Sequence, residues 1–277
     1  MAIYHLNVSV GTRKRGHSSE AKYNYICRRG QFAECKKSNG KNETRSSKDV
    51  LFRVSKNLPE WTLGSSEYYW VAADVLERKN AILYREIEFA LPRELDLVEN
   101  EKTAIGFADL VAIQPAGLLP YTLAIHGGDL RNPHCHMMLS EKINDGVERS
   151  CEKWFQKAKP QGIDPTTGGA RKADIVNQKG WLLQVRQLWA QLCNEALAQN
   201  GADQLISHLS YAARGIERLP QIHIGARLMS AIKINKIPLA LEHRLYKYAR
   251  IEEHNNQLFK PQNTEDKDQD MDRGPSM

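Results

Sequence analysis

The stretch His126-Gly-Gly-Asp129-Leu-Arg-Asn132-Pro133-His134-Cys135-His136 constrains the fold more than any other part of the chain. An apolar run, Tyr121-Thr-Leu-Ala-Ile125, leads into it, and Met137-Met138-Leu139 leads out. Between them lie Gly, Asp, Asn and Pro, residues that break regular structure and supply turn geometry. Two short apolar runs around such a turn predict a β-hairpin over 120–126 and 133–140, with a loop longer than the two-residue ideal. The period of two along a strand places His134 and His136 on one face, with Cys135 and Met137 on the other. His126 closes the preceding strand. Three imidazoles can then converge on one cation and leave positions open for water and substrate, as catalytic sites do. The competing reading is three unrelated strand histidines. A same-face pair with a third histidine across the hairpin favours metal, because imidazole is a common ligand.

The remaining pattern predicts the frame around that hairpin. Residues 2–10 alternate and read as a half-buried strand. A basic loop follows over 11–17, and Ser18 caps a helix over 19–29 that Gly30 ends. The polar segment 36–48 reads as a loop, a nucleic-acid contact or a disordered flap. Helices are predicted over 65–79 and 99–113, with a strand over 82–91 between them that Pro92 stops. That strand sets Tyr84, Glu86 and Glu88 against Leu83, Arg85, Ile87 and Phe89, and two carboxylates on one face mark it as something other than core. A Gly/Thr/Pro/Lys-rich loop spans 162–180. Residues 181–199 form a periodic helix with Leu182, Val185, Leu188, Trp189, Leu192 and Ala196 as its stripe, and Trp181 and Trp189 read as core. A weaker helical pattern covers 238–254. Regular βα alternation is missing, so a doubly wound parallel sheet is excluded. The order predicts an α+β fold, a mainly antiparallel central sheet flanked by helices. Residues 1–225 form the main domain in this reading, 226–258 a helical extension, and 259–277 an acidic, disordered tail or truncated linker.

Charge is unevenly spread. The chain carries a net +6, yet Arg13, Lys14, Arg15, Lys22, Arg28, Arg29, Lys36, Lys37, Lys41, Arg45 and Lys48 crowd one segment against only three glutamates. Such a cluster suits a polyanion, the plain alternative being an ordinary solvated surface. Cys27, Cys35, Cys135, Cys151 and Cys193 are odd in number and lack CxxC spacing, which reads as free thiols in a reducing cytoplasm. No signal-peptide pattern opens the sequence, and no run of about 18 apolar residues predicts a membrane span.

A cation on imidazoles beside a basic surface points to phosphate chemistry on nucleic acid, with the metal polarising a phosphoryl oxygen. Either water or a side-chain hydroxyl attacks. Tyr25, on the first helix and flanked by Lys22, Arg28 and Arg29, is the candidate side chain. A phenol with its ordinary pKa of about 10 is a weak nucleophile that neighbouring cations and a metal activate. Covalent attack would store the phosphodiester energy in a phosphotyrosine and make strand cleavage reversible. Tyr23 lies about 200° from Tyr25 around a helix, so only one of them can face the metal.

These residues carry a resemblance. Met1-Ala-Ile-Tyr-His-Leu, Gly16-His-Ser18 and Ala21-Lys22-Tyr23-Asn24-Tyr25-Ile26-Cys27-Arg28-Arg29-Gly30 resemble the opening motif of MobA/MobL-type mobilization relaxases. So do Arg85-Glu86-Ile87-Glu88-Phe89-Ala90-Leu91-Pro92, Leu119-Pro-Tyr-Thr-Leu-Ala-Ile-His126, and Asn132 through His136 with Ser140-Glu141-Lys-Ile-Asn-Asp-Gly. Residues 215–225 resemble a segment near the end of that domain. The resemblance implies the relaxase palm. It implies Tyr25 as the nucleophile left joined to a 5′ phosphate at a plasmid transfer origin, and His126, His134 and His136 as ligands of Mg2+ or Mn2+. It also implies Glu86 or Glu88 as proton acceptor or partner of a ligand histidine. Asp129 reads as a turn former. Single-stranded origin DNA, contacted by Arg13, Lys14, Arg15, Lys22, Arg28 and Arg29, is the implied substrate. Accessory mobilization proteins and a type IV coupling ATPase are the implied partners, in a plasmid-encoded bacterial cytoplasmic protein. Ser207-His208-Leu209-Ser210 departs from the family's Asp-His-Arg run, which leaves His208 outside the site. Larger relatives continue into a primase or helicase region, so the chain reads as a compact relaxase or a fragment. Two other functions fit parts of the pattern. A rolling-circle replication initiator also pairs histidines, but its tyrosine follows them, as Tyr211, Tyr246 and Tyr248 do here. A non-catalytic DNA-binding module would use the histidines structurally.

Overall fold

Five alternating segments build the central sheet of the computed structural model, which describes residues 4–32, 37–38, 41–42, 49–127, 132–222 and 224–258. They are β1 (Leu6–Thr12), β4 (Val50–Lys56), β5 (Ile82–Ala90), β8 (Tyr121–His126) and β9 (His134–Leu139). The spatial order is β1-β5-β9-β8-β4, and every neighbour pairs antiparallel. This is the mainly antiparallel α+β sheet that the sequence order predicts. Two small ladders stand apart: β2 (Lys37–Ser38) with β3 (Lys41–Asn42), and β6 (Ile113–Gln114) with β7 (Gly117–Leu118).

Each face of the sheet carries helices. Helices α3 (Leu97–Ala112) and α5 (Trp181–Gln199) share one core with Ile87, Phe89, Leu123, Ile125, Cys135, Met137 and Leu139. Phe89, Phe107 and Trp189 interlock there, with ring centroids 4.4 Å apart for Phe89–Trp189 and 5.1 Å for Phe107–Trp189. On the opposite face α1 (Ser19–Ile26), α2 (Ser66–Leu76) and the short α4 (Cys151–Phe155) pack with Leu83, Tyr84, Ala124 and Met138.

Local chemistry explains where α1 begins and ends. Ser18 accepts from the Ala21 amide as N-cap, and Asp74 on α2 adds a second anchor. Its carboxylate accepts from the Ser18 and Ser19 hydroxyls at 2.5 and 2.8 Å, and from the Ser19 and Glu20 amides at 2.7 and 2.9 Å. The anion meets the positive end of the helix, where free amides point. The helix stops at Ile26, three residues short of the predicted end, because Arg28 takes a left-handed conformation (φ 48°) that turns the chain. The sequence reading also passed over β4. Its register slips between Val50 and Phe52, which blurs the alternation a strand would show.

Cα packing separates Met1–His208 from Leu209–Met277. In the second unit, α6 (Gly225–Lys233) and α7 (Leu239–Gln257) carry the helical pattern, and Asn255 brackets Leu219 by bonds of 2.9 Å to its amide and its carbonyl. No helix among the described residues is long and apolar enough to cross a membrane. Cys27, Cys135, Cys151 and Cys193 are unbridged, while Cys35, Asp129, most of 36–48 and the tail 259–277 lie outside the described residues.

Candidate metal centre and its tyrosine

Strand register assembles the site. His126 sits opposite His134, and His136 sits opposite Ala124 on one side and Glu88 on the other. Residues directly opposite in an antiparallel pair share a face, so the three imidazoles and Glu88 form one patch, with Glu86 two residues along. Ala124 offers only a methyl group across from His136, which leaves room above the sheet. The turn needs Gly127 at φ +119°, where a Cβ would meet Pro133 Cα at 2.9 Å. Ring centroids of the histidines lie 4.8–5.4 Å apart. One nitrogen from each falls within 4.8 Å of the others, and a second set with that spacing comprises Glu86, Glu88 and His136.

Hydrogen bonds orient each ring. Glu86 Oε1 accepts from His136 Nδ1 at 2.9 Å, which leaves the His136 Nε2 lone pair buried and without a partner among the described residues. The Asn132 carbonyl likewise takes the Nδ1 proton of His134 at 2.8 Å. His126 turns Nε2 to the Ile26 carbonyl at 2.6 Å and Nδ1 towards Arg28 Nη2 at 3.3 Å. An orphaned buried imidazole nitrogen is costly unless a cation satisfies it, and a carboxylate behind a ligand histidine is the usual outer support of a metal. The donor set therefore fits a divalent cation. Burial, reinforced by the neighbouring histidines and Arg28, pushes His126 down to about 3, and burial also lowers His134. Imidazoles kept neutral keep a lone pair for a cation; that of His136 is free to take one, while that of His126 would have to leave Arg28 to do so.

Glu86 is doubly held. Lys22 Nζ meets its Oε1 at 2.5 Å, and the Ser9 hydroxyl donates to Oε2 at 3.1 Å. Burial alone would raise its carboxyl, but His136 and Lys22 outweigh that and hold it at about 2.

Tyr25 lies over this patch. Its ring centroid is 5.9 Å from that of His136 and 6.5 Å from that of His126, with Phe32 at 5.6 Å on its edge. Lys22 and Arg28 approach the same ring at 5.0 and 4.5 Å. Tyr23 points elsewhere, its buried hydroxyl taking bonds from Arg29 at 3.1 Å and Ser66 at 3.2 Å.

The six cations named from sequence occupy three environments. Lys14 and Arg15 are exposed. Arg13 donates to the Asp74 carbonyl, Lys22 pairs with Glu86, and Arg29 pairs with Glu67 at 2.5 Å. Arg28 is buried, bonded to the Tyr25 carbonyl at 2.7 Å and to Asp49 at 2.9 Å. Asp49 also accepts from the Gly127 amide, at 3.3 Å. Burial would raise Asp49, yet Arg28, His126 and Gly127 together lower it. Asp49 thus ties the end of α1 to the start of the histidine turn, a role no local spacing announced.

Comparison with known proteins places this architecture. Residues 34–234 match the MobA/MobL family. Mobilization protein A of Escherichia coli is 43% identical over 83% of this chain and 30% of its own length. The 43 kDa relaxation protein of Salmonella typhimurium is 34% identical over 79% of this chain and 56% of its own. The chain thus spans between about a third and just over half of these two curated relatives. A solved structure described as the molecular basis of vancomycin resistance transfer in Staphylococcus aureus aligns with a TM-score of 0.55 and 26% identity, over 76% of this chain and 100% of that one. The chain belongs to the MobA/MobL family.

Proposed function

We propose that the chain is a DNA relaxase that nicks and rejoins one strand at a plasmid transfer origin through Tyr25. The placement of the Tyr25 ring over three converging histidines carries the reading. Relatives named for mobilization and relaxation support it. His126, His134 and His136 would hold a divalent cation, which when bound would polarise a phosphoryl oxygen and offset developing charge. Of the expected Mg2+ and Mn2+, an all-imidazole donor set suits Mn2+ better.

The chain's own groups do the rest. The Tyr25 oxygen attacks phosphorus, forming a tyrosyl–phosphate bond as the bond from phosphorus to the 3′ oxygen breaks. The phenolic proton passes to a carboxylate, and the released 3′ oxygen takes up a proton. Glu86, bound by Lys22 and His136, is the positioning residue for His136. Glu88, beside the same ring, is the proton acceptor. The reverse attack by a 3′ hydroxyl restores the strand. Of the six cations expected to contact DNA, the exposed Lys14 and Arg15 would neutralise phosphates, so affinity falls with salt, while Arg13, Lys22, Arg28 and Arg29 are held by Asp74, Glu86, Asp49 and Glu67. Residues 1–225 would carry this activity and 226–258 would extend it. Accessory mobilization proteins and a coupling ATPase remain partners by family resemblance, in the bacterial cytoplasm.

The test incubates the chain with single-stranded origin DNA and a divalent metal, then looks for a protein–oligonucleotide adduct. The expected adduct is lost in Tyr25→Phe, kept in Tyr246→Phe, and abolished by chelator. An adduct that survives Tyr25→Phe overturns the assignment of the nucleophile, and full activity in excess chelator overturns the metal.

A further inference from the structure

The segment after β9, Ser140-Glu141-Lys142-Ile143, is strongly patterned yet has no part in the chemistry above. Beyond a bend at Glu141 it pairs with residues 170–173: Ile143 N bonds Arg171 O and Ala173 N bonds Glu141 O, each at 2.8 Å. The bridge places Lys142 directly opposite Lys172. Like charges facing each other across strands repel, and burial sharpens the conflict. Lys142 is 3% exposed, and its ammonium reaches two backbone carbonyls, at 3.3 and 3.5 Å, and the face of the Phe155 ring at 5.7 Å. No ion pair to Lys142 is found among the described residues.

The surroundings add further positive charge. A pocket of about 210 Å³ opens here, lined by Arg78, Lys142, Lys157 and Lys172 with Glu77 as its one carboxylate. Glu77 reaches Lys172 at 3.4 Å through one oxygen, while its other oxygen is buried without a partner. Glu141 is held by Arg85 at 2.7 Å through one oxygen and lies 3.8 Å from Lys172 through the other. Lys172 takes up both Glu77 and the far oxygen of Glu141, so Lys142, Arg78 and Lys157 leave an excess of positive charge in a partly enclosed space, which an anion with several acceptor oxygens would relieve.

We propose that this pocket binds a backbone phosphate of the DNA strand held at the metal centre. The proposal rests on the relaxase reading. Phe155 and Ala170 line the pocket and share a core with Met138 of β9 and with α1 and α2, so the pocket lies on the histidine-bearing face of the sheet, beyond the end of β9. A phosphate there would fix the register of the strand beyond the cleavage point, as backbone contacts do without reading bases. Burial pushes Lys142 down to about 8; Glu77 opposes that shift, while Lys172, Arg78 and Arg149 add to it.

Two measurements on the full chain test this. Inorganic phosphate is titrated by calorimetry into the metal-free chain and into Lys157→Ala, Arg78→Ala and Lys142→Met. The exposed Lys157 and Arg78 keep the test valid if Lys142→Met fails to fold. The expected result is binding by the unaltered chain, weakened about tenfold or more in Lys142→Met and several-fold in each exposed variant. Absent binding, or equal binding by both exposed variants and the unaltered chain, overturns the site. The second measurement compares affinities for origin single strands lengthened stepwise from the cleavage position. The Lys157→Ala/Arg78→Ala double variant should lose affinity only for strands long enough to span the gap, with a salt slope shallower by about 1. Loss at every length, or none alongside intact phosphate binding, overturns DNA as the source of the phosphate. Failure of the relaxase reading would look different: no Tyr25 adduct at all, with phosphate binding retained.

Discussion

The two faces of β9 differ more than any other pair of regions in the molecule, although they alternate residue by residue. Cys135, Met137 and Leu139 are fully buried in a core with α3 and α5. His134 and His136 turn the other way, into a polar patch roofed by Tyr25 and braced by Glu86. A strand's period of two lets adjacent residues serve opposite ends. One face supplies stability by excluding water. The other keeps neutral imidazoles and a buried carboxylate, which cost stability unless something pairs them. Substitutions should therefore separate: those on the apolar face unfold the chain, and those on the polar face silence the site.

The largest effect on stability belongs to the apolar face. Trp189 is fully buried and touches both Phe89 and Phe107. Trp189→Ala should cost about 3–5 kcal/mol, read as a lowered urea midpoint. A cost below about 1 kcal/mol would mean that α5 does not clamp this face.

Asp74 comes next, and it tests how α1 is held. Asp74→Ala removes the acceptor for two hydroxyls and two helix-terminal amides, with an expected loss of about 2–3 kcal/mol. Adduct formation should fall further than stability alone explains, because α1 carries Tyr25. Equal falls in both would make Asp74 a purely structural anchor.

How much of this was legible follows from the range of each signal. The hairpin, its histidines and the alternation of Glu86 and Glu88 lie within strand period, so the sequence displays them. Helix α5 matches its predicted span because an apolar stripe runs its whole length. Asp49 and Asp74 were invisible. Each acts on a partner far along the chain, Arg28 and Ser19 respectively, and no periodicity marks such a pairing. Arg28 and Lys22 stood out by charge, but only the fold shows Arg28 buried against Asp49 and Lys22 spent on Glu86. The same holds for Lys142, whose apposition to Lys172 depends on a bridge between distant segments.

On the polar face, Glu86→Gln should cost only about 1–2 kcal/mol of stability while weakening metal binding about 10–100-fold, read by titration with Mn2+. Unchanged metal affinity would remove Glu86 from the support of His136. The metal-free chain should also be acid-sensitive from this face. His126 is depressed from 6.5 to about 3, so between those values the unfolded chain binds a proton that the folded one refuses. Stability is complete above pH 6.5 and declines as pH falls through that window. Glu86, lowered from 4.5 to about 2, adds a second decline as pH drops from 4.5 towards 2. Flat stability between pH 6.5 and 4.5 would contradict the burial of a neutral His126.

The smallest effect on stability is expected at Tyr25, and it sharpens the contrast within a single helix. The hydroxyl of Tyr25 makes no hydrogen bond found among the described residues, while its ring packs on Phe32 and beneath Arg28. Tyr25→Phe keeps the ring, so stability should change by less than about 0.5 kcal/mol. Tyr23, two residues earlier, is buried and accepts from both Arg29 and Ser66, so Tyr23→Phe should cost about 1 kcal/mol. Adduct formation should reverse that ranking, with Tyr25→Phe losing it and Tyr23→Phe retaining it. Thermal melts and the adduct gel on the two variants make a two-by-two comparison. If Tyr25→Phe destabilised the chain as much as Tyr23→Phe, its hydroxyl would belong to the packing of α1 rather than to the chemistry above the histidines.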